Sequence, residues 1–189
     1  GKKNRKSPEG PISIVDIERE EEKLGGAGNV ALNFKKLNTE ILLFGFIGND
    51  LNGGKIISIM KKNNINTFGL LKSEATTTKT RIIIKPSKHF VRFDSEKINY
   101  NNTPQKQKLG ALIKSNIKNV DLIILQDYNK GVLDINLIQE IITEAKTNNI
   151  SVMVDPKEKN FLKYKNITLI KPNLIEAEKI LKRKIQISD

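Results

Sequence analysis

Four short apolar runs, separated by stretches of helical periodicity, narrow most what this chain can fold into. Ile41-Leu-Leu-Phe-Gly-Phe-Ile47 is continuous, and Asp121-Leu-Ile-Ile-Leu125, Ser151-Val-Met-Val154 and Thr168-Leu-Ile170 share its character. A run apolar at every position suits a strand covered on both faces, as in a parallel sheet. Around these runs the spacing changes to that of helices. Ala27, Val30, Ala31, Phe34 and Leu37 form one apolar stripe, and Gly53 to Lys62 turns Ile56, Ile57 and Met60 inward. A polar stretch from Asn99 to Lys108 opens a third helix carrying Leu109, Leu112, Ile113 and Ile117. Asp134 to Asn148 and Asn173 to Lys182 complete the set. Strands alternating with helices predict an α/β fold, a mostly parallel sheet covered by helices.

Two segments break that rhythm. Pro11-Ile-Ser-Ile-Val-Asp-Ile17 reads as a short exposed strand. Thr80-Arg-Ile-Ile-Ile-Lys85 and His89-Phe-Val-Arg-Phe-Asp94 read as a hairpin around Pro-Ser-Lys, with His89 at the surface. They predict a small separate β element, about residues 11–18 and 78–95, within one domain spanning 1–189. No internal repeat or long low-complexity linker is visible.

With 189 residues the chain can bury a sizeable core, and 38% hydrophobic against 29% charged residues describes a soluble globular protein. No apolar run approaches the roughly 18 residues of a membrane span, and no signal-peptide core follows the basic start. There is no cysteine, which excludes disulfides and Cys-based zinc sites. These absences predict a cytoplasmic protein without membrane contact. The formal charge of +12 favours anionic partners, phosphorylated small molecules and nucleic acid among them. Three Tyr and no Trp leave little aromatic surface for single-stranded nucleic acid. The basic residues are also dispersed, so a nucleic-acid-binding module is kept only as the alternative.

Lys23-Leu-Gly-Gly-Ala-Gly-Asn-Val-Ala-Leu-Asn33 fits the spacing of a dinucleotide-binding turn from Gly26 onward. Such a turn needs a buried strand in front of it. Glu20, Glu21, Glu22 and Lys23 stand there instead, and Asp50, near the spacing of a ribose-binding acid, follows a later strand. What survives is a loop whose glycines admit a ligand to backbone amides at a helix start, or one that simply packs tightly against the sheet.

Gly25-Gly-Ala-Gly-Asn-Val-Ala31 and Phe44-Gly-Phe-Ile-Gly-Asn-Asp50 resemble the N-terminal signature of ribokinase-like (PfkB) carbohydrate kinases. Thr78-Lys-Thr-Arg81, Val91-Arg-Phe-Asp94, Gln126-Asp-Tyr-Asn-Lys-Gly131, Val154-Asp-Pro-Lys157 and Lys171-Pro-Asn-Leu-Ile-Glu176 follow in the family's order. With Ser7-Pro-Glu-Gly-Pro11, the set is most similar to the branch acting on D-glycero-β-D-manno-heptose 7-phosphate at C1, toward the ADP-heptose of lipopolysaccharide cores. In many bacteria that kinase is fused to an adenylyltransferase. A fructose-phosphate or ribose-like substrate is the alternative within the family. The resemblance runs from about Arg5 to Leu181.

It implies phosphoryl transfer from ATP, with Mg²⁺, to a sugar hydroxyl. Gly25, Gly26 and Asn29 would bind the sugar. Lys79, Arg81 and Arg92 lie on a β element that in the family closes over the sugar and often pairs two subunits, which implies a homodimer through this lid. Alternation puts Lys79 and Arg81 on one face, either to hold the sugar's existing phosphate or as a solvated basic strand. Asp127 and Lys130 follow a strand end, where open α/β sheets place ligands. Asp127 would accept from sugar hydroxyls or serve as a turn acid. Lys157 would sit near the transferred phosphate. Asn173 and Glu176 match the family's N-x-x-E pattern for the ATP phosphates and Mg²⁺, which Glu176 would hold through water. The same pair also fits a capping box. Family members further carry an opening strand ending in an acid, and a later G-A-G-D segment with the anion hole and catalytic aspartate. Neither appears in these residues, so no catalytic residue is assigned. The 189 residues alone are expected to show no turnover.

Overall fold

The computed structural model describes residues 2–10, 13–84, 88–96 and 103–185. The Pro-Ser-Lys turn and the segment opening at Asn99 fall partly outside that range. Nine strands and five helices run in the order β1 (Lys2–Lys6), β2 (Ser13–Asp16), α1 (Gly26–Lys35), β3 (Gly45–Gly48), α2 (Leu51–Lys62), β4 (Leu70–Ser73), β5 (Thr78–Ile84), β6 (Lys88–Ser95), α3 (Thr103–Asn116), β7 (Leu122–Gln126), α4 (Ile135–Thr147), β8 (Ser151–Asp155), β9 (Leu169–Ile170) and α5 (Leu174–Leu181) among the described residues.

The parallel strands occur in two groups. β7, β8 and β9 form one sheet in that order, with Leu122 opposite Ser151 and Met153 opposite Leu169. β3 pairs in parallel with β4 from Gly45–Leu70 to Gly48–Ser73. The apolar run at 41–47 was expected to be strand throughout, yet only its end is. β4 is four residues long, so the ladder has a partner over four positions, and Leu42 makes a single bridge to Asn66. Gly69 turns the chain close against Leu43 just before β4. The sequence Leu-Leu-Lys-Ser of β4 carries no β-branched residue and gave no strand signal.

One core serves both groups. Leu125, Val152 and Val154 meet the inner face of α4, where Leu137, Ile138, Ile141, Ile142 and Ala145 recur at helical spacing and are all buried. Phe44, Phe46 and Leu71 pack against the same cluster. Full burial of a side chain such as Ile138 is worth about 1.5–3 kcal/mol. A second cluster of Ala31, Met60 and Ile65 seats α1 on α2.

The two irregular segments are antiparallel ribbons. β5 and β6 form the expected hairpin, with Lys79 opposite Asp94 and Arg81 opposite Arg92. β2 pairs with β1, from Lys2–Asp16 to Lys6–Ser13. A basic run such as Lys2–Lys6 has no strand pattern of its own and pairs through its backbone.

Candidate active site

The glycine-rich loop opens α1. Gly25 is its extended N-cap with no side chain to offer, and Gly26 has φ +53, a conformation that favours glycine. A Cβ on Gly26 would lie 3.4 Å from the Tyr128 ring, so the loop packs directly on that aromatic. Asn29 stands exposed in the first turn, its backbone amide donating to the Gly25 carbonyl at 3.2 Å.

Tyr128 belongs to the segment following β7. Asn129 (φ 56) and Gly131 (φ 84) bend that segment sharply. Its anchor is Asp127, only 3% exposed. The carboxylate accepts from the Asn129 amide at 2.7 Å, the Asn160 side-chain amide at 2.9 Å and the Tyr164 hydroxyl at 2.8 Å. Read from sequence as an acceptor for sugar hydroxyls, Asp127 is turned inward with its oxygens occupied. The turn-acid alternative fits this geometry. Burial, and then the Asp127 carboxylate, push the Tyr164 phenol far above its usual range.

On one side of the segment, Lys130 reaches Glu96 at the end of the hairpin. Glu96 also accepts from Lys79 at 2.9 Å, and Lys79 donates to Asp94 at the same distance. Arg92 holds Asp94 with two hydrogen bonds. Arg92 and then Lys79 keep the Asp94 carboxyl well below the usual carboxylate range. Lys130 and then Lys79 lower the Glu96 carboxyl from its usual value. Arg81 shares this face opposite Arg92, with no ion pair among the described residues.

On the other side, Lys157 follows β8 and pairs with Glu176. Glu176 accepts from the Asn173 amide at 2.9 Å, and the Asn173 side chain accepts from the Glu176 amide at 2.9 Å. This is the capping box at the start of α5. Burial opposes ionisation of Glu176, but Lys157 and the Asn173 amide outweigh it and hold the carboxyl below its usual 4.5. The Glu176 hydrogen bond raises Lys157. Tyr128 lies within electrostatic reach of that ammonium.

The pfkB family of carbohydrate kinases matches residues 5–189. The chain belongs to that family. A curated PfkB relative, "Bifunctional protein HldE" of Helicobacter pylori (strain G27), is 41% identical over 187 residues, which is 98% of this chain and 40% of the relative. The chain therefore spans well under half the length of that relative. The tetrameric inhibited form of Escherichia coli phosphofructokinase-2 superposes with a TM-score of 0.65 at 17% identity, covering 99% of this chain and 61% of the other. Arabidopsis thaliana ribokinase complexed with ribose and ATP gives 0.64 at 12% identity, covering 93% and 56%. At those identities the likeness establishes the ribokinase-like fold.

Within this PfkB fold, β7 and β8 deliver Lys130 and Lys157 at their carboxyl ends, the glycine-rich loop meets Tyr128, and the hairpin joins Lys130 through Glu96. Asn29 and Arg81 make no side-chain hydrogen bond or ion pair to this assembly among the described residues. Five residues of the assembly escaped sequence reasoning as site residues: Asp94, Glu96, Tyr128, Asn160 and Tyr164. Asp94 and Tyr128 lie inside the motifs Val91–Asp94 and Gln126–Gly131. Asn160 and Tyr164 lie in and just after a 3-10 segment, Glu158–Lys163, which has neither helical nor strand periodicity.

Proposed function

We propose that the protein carrying this chain transfers the γ-phosphoryl group of ATP to the C1 hydroxyl of D-glycero-β-D-manno-heptose 7-phosphate. The observation supporting this most is the convergence of cations from the hairpin and from the β7 segment beside the sugar loop. A sugar that already carries a phosphate needs such a group in addition to contacts for its hydroxyls. Gly25, Gly26 and Asn29 offer the loop and one amide for the hydroxyls, with Tyr128 as a wall. Lys79, Arg81, Arg92 and Lys130 face the existing phosphate.

In the reaction, the C1 oxygen forms a bond to the γ-phosphorus while the bond to the bridging oxygen breaks. The hydroxyl proton leaves to a base and ADP departs with the bridging electrons. Lys157 offsets negative charge on the transferred group, the largest demand of this chemistry. Glu176 uses one lone pair on each oxygen for Lys157 and Asn173, leaving capacity for the water shell of a cation. A single carboxylate with free lone pairs suits a hydrated Mg²⁺, an ion that usually keeps several of its waters. When bound, that ion would neutralise phosphate charge.

The opposite face of the hairpin carries Ile82, Val91 and Phe93, the last 56% exposed. We assign it to a homodimer contact, to be checked by light scattering of the intact protein and of Phe93→Glu. With ATP as the donor, we assign the reaction to the cytoplasm. No helix among the described residues is long and apolar enough to cross a membrane.

The test is ADP release by the intact protein with four acceptors: the heptose 7-phosphate, the heptose without phosphate, fructose 6-phosphate and ribose. The heptose phosphate should lead in kcat/KM by about 100-fold or more, corresponding to about 2.7 kcal/mol. Equal or better use of fructose 6-phosphate or ribose would overturn the assignment.

A further inference from the structure

Glu96 was no part of the expected site, yet it occupies its electrostatic centre. Its side chain is 18% exposed and bridges Lys79, which is 31% exposed, to Lys130, which is 27% exposed. These two lysines come from different elements, the hairpin and the segment after β7, and one carboxylate holds both. Four cations line this face, Lys79, Arg81, Arg92 and Lys130, against two carboxylates, Asp94 and Glu96. The excess of two positive charges equals the charge of a phosphate monoester near neutral pH, roughly −1.5 to −2. Asp94 is engaged by Arg92 and Lys79 within the hairpin, so it belongs to the lid. Of these two carboxylates, it is Glu96 whose hydrogen bonds among the described residues reach from the hairpin to the segment after β7.

We propose that Glu96 is an internal stand-in for the substrate's phosphate, holding Lys79 and Lys130 together until a phosphate monoester displaces it. This deepens the assignment above and rests on it for the identity of the sugar. The carboxylate keeps the two ammonium groups from repelling each other and holds the hairpin on the β7 segment. An incoming phosphate offers three oxygens to the same donors and leaves Glu96 free to turn outward. Glu96 then acts as a specificity gate: an uncharged sugar cannot compete for the lysines, whereas a phosphorylated one can.

The experiment compares wild type, Glu96→Gln and Lys130→Met in the intact protein. Inorganic phosphate is titrated by amide chemical shifts of residues 79, 96 and 130, and heptose with and without its 7-phosphate by calorimetry. Glu96→Gln keeps the shape but removes the competing charge, so inorganic phosphate and the phosphorylated heptose should bind about two- to five-fold tighter, the range expected of a partly exposed ion pair. Unphosphorylated heptose should be unchanged. Lys130→Met should weaken both phosphorylated probes while retaining the far-ultraviolet circular dichroism of wild type. Unchanged or weaker phosphate binding by Glu96→Gln, with Lys130→Met weakening it, would overturn the stand-in role. The inorganic phosphate arm decides this whatever the sugar. If phosphate binds as described but neither heptose does, the stand-in role stands and the heptose assignment fails.

Discussion

Replacing Asp127 by asparagine tests whether the β7 segment rests on a charged acceptor. One carboxylate oxygen receives both the Tyr164 hydroxyl and the Asn160 amide, and the other receives the Asn129 amide. An asparagine must put its NH₂ toward one of these sets, so a donor meets donors in either orientation. Tyr164 can rotate its hydroxyl and accept. Asn160 cannot flip without loss, because its NH₂ also donates to the Leu133 carbonyl at 3.0 Å and its oxygen accepts from Lys163 at 3.0 Å. One buried donor is stranded, costing about 1–3 kcal/mol, and the surviving bonds weaken from charged to neutral. Asp127→Asn should therefore lower stability by about 3 kcal/mol, a large part of the total for a domain of this size. Tyr164→Phe removes one bond and leaves both oxygens partnered, so about 1.5 kcal/mol is expected. The double variant should fall short of additivity by about 1 kcal/mol, since both changes delete the same contact. Urea unfolding followed by far-ultraviolet circular dichroism reads all three. Asp127→Asn within 0.5 kcal/mol of wild type, or strict additivity, would refute the argument.

The same pair predicts a pH dependence. The folded phenol of Tyr164 is raised above its usual 10.0. The folded state therefore holds a proton that the unfolded chain gives up, and stability falls as pH rises past the unfolded value. The slope is about 1.4 kcal/mol per pH unit. Wild type should lose its advantage over Tyr164→Phe between pH 10 and 11.

Adjacent glycines in α2 should respond oppositely to alanine. A Cβ on Gly53 would sit 2.0 Å from the Gly48 carbonyl oxygen, whereas Gly54 has nothing within 4 Å. Gly53→Ala should cost about 3 kcal/mol and Gly54→Ala should stabilise by about 0.5–1 kcal/mol, both read by thermal unfolding. Lys157→Met leaves a mostly buried carboxylate without its cation, and should lower stability by about 1 kcal/mol at pH 7. Because the Glu176 carboxyl is held below 4.5, that difference should be complete above this pH and vanish as pH falls through the folded value.

The α/β class, the helices and the hairpin were legible because their periodicities are strong. α4 shows why: its buried positions recur at helical spacing and Asp134 caps it, donating nothing and accepting from the Leu137 amide at 3.0 Å. β4 was illegible, since four residues with one charge carry no alternation and pair only because β3 runs beside them. Asn173 and Glu176 invited two readings, and the capping box is visible in the structure while a ligand role remains a separate proposal. Asp127 looked like a ligand-facing acid because sequence position gives the end of a strand but not the direction of its side chain. Burial decided that. Glu96 gave no signal because its importance comes from two lysines distant in sequence.

A site assembled from segments after different strands needs a common foundation, and the buried Asp127 group provides one. Asn160 joins the Asp127 carboxylate to the Leu133 carbonyl, and its own amide donates to the Lys157 carbonyl at 3.1 Å. The Asp127 amide meanwhile donates to the Asp155 carbonyl at 3.0 Å. Lys130 and Lys157 thus leave neighbouring parallel strands, whose spacing of about 4.8 Å is fixed by the sheet, and the segments that carry them are tied below by the same side chains. Their separation is set by buried hydrogen bonds and not by the long, flexible lysine stems. This reconciles an inward-facing Asp127 with its place in a recognised motif: it fixes the base of the β7 segment, above which stand Tyr128 and Lys130, the residues proposed to meet the ligand.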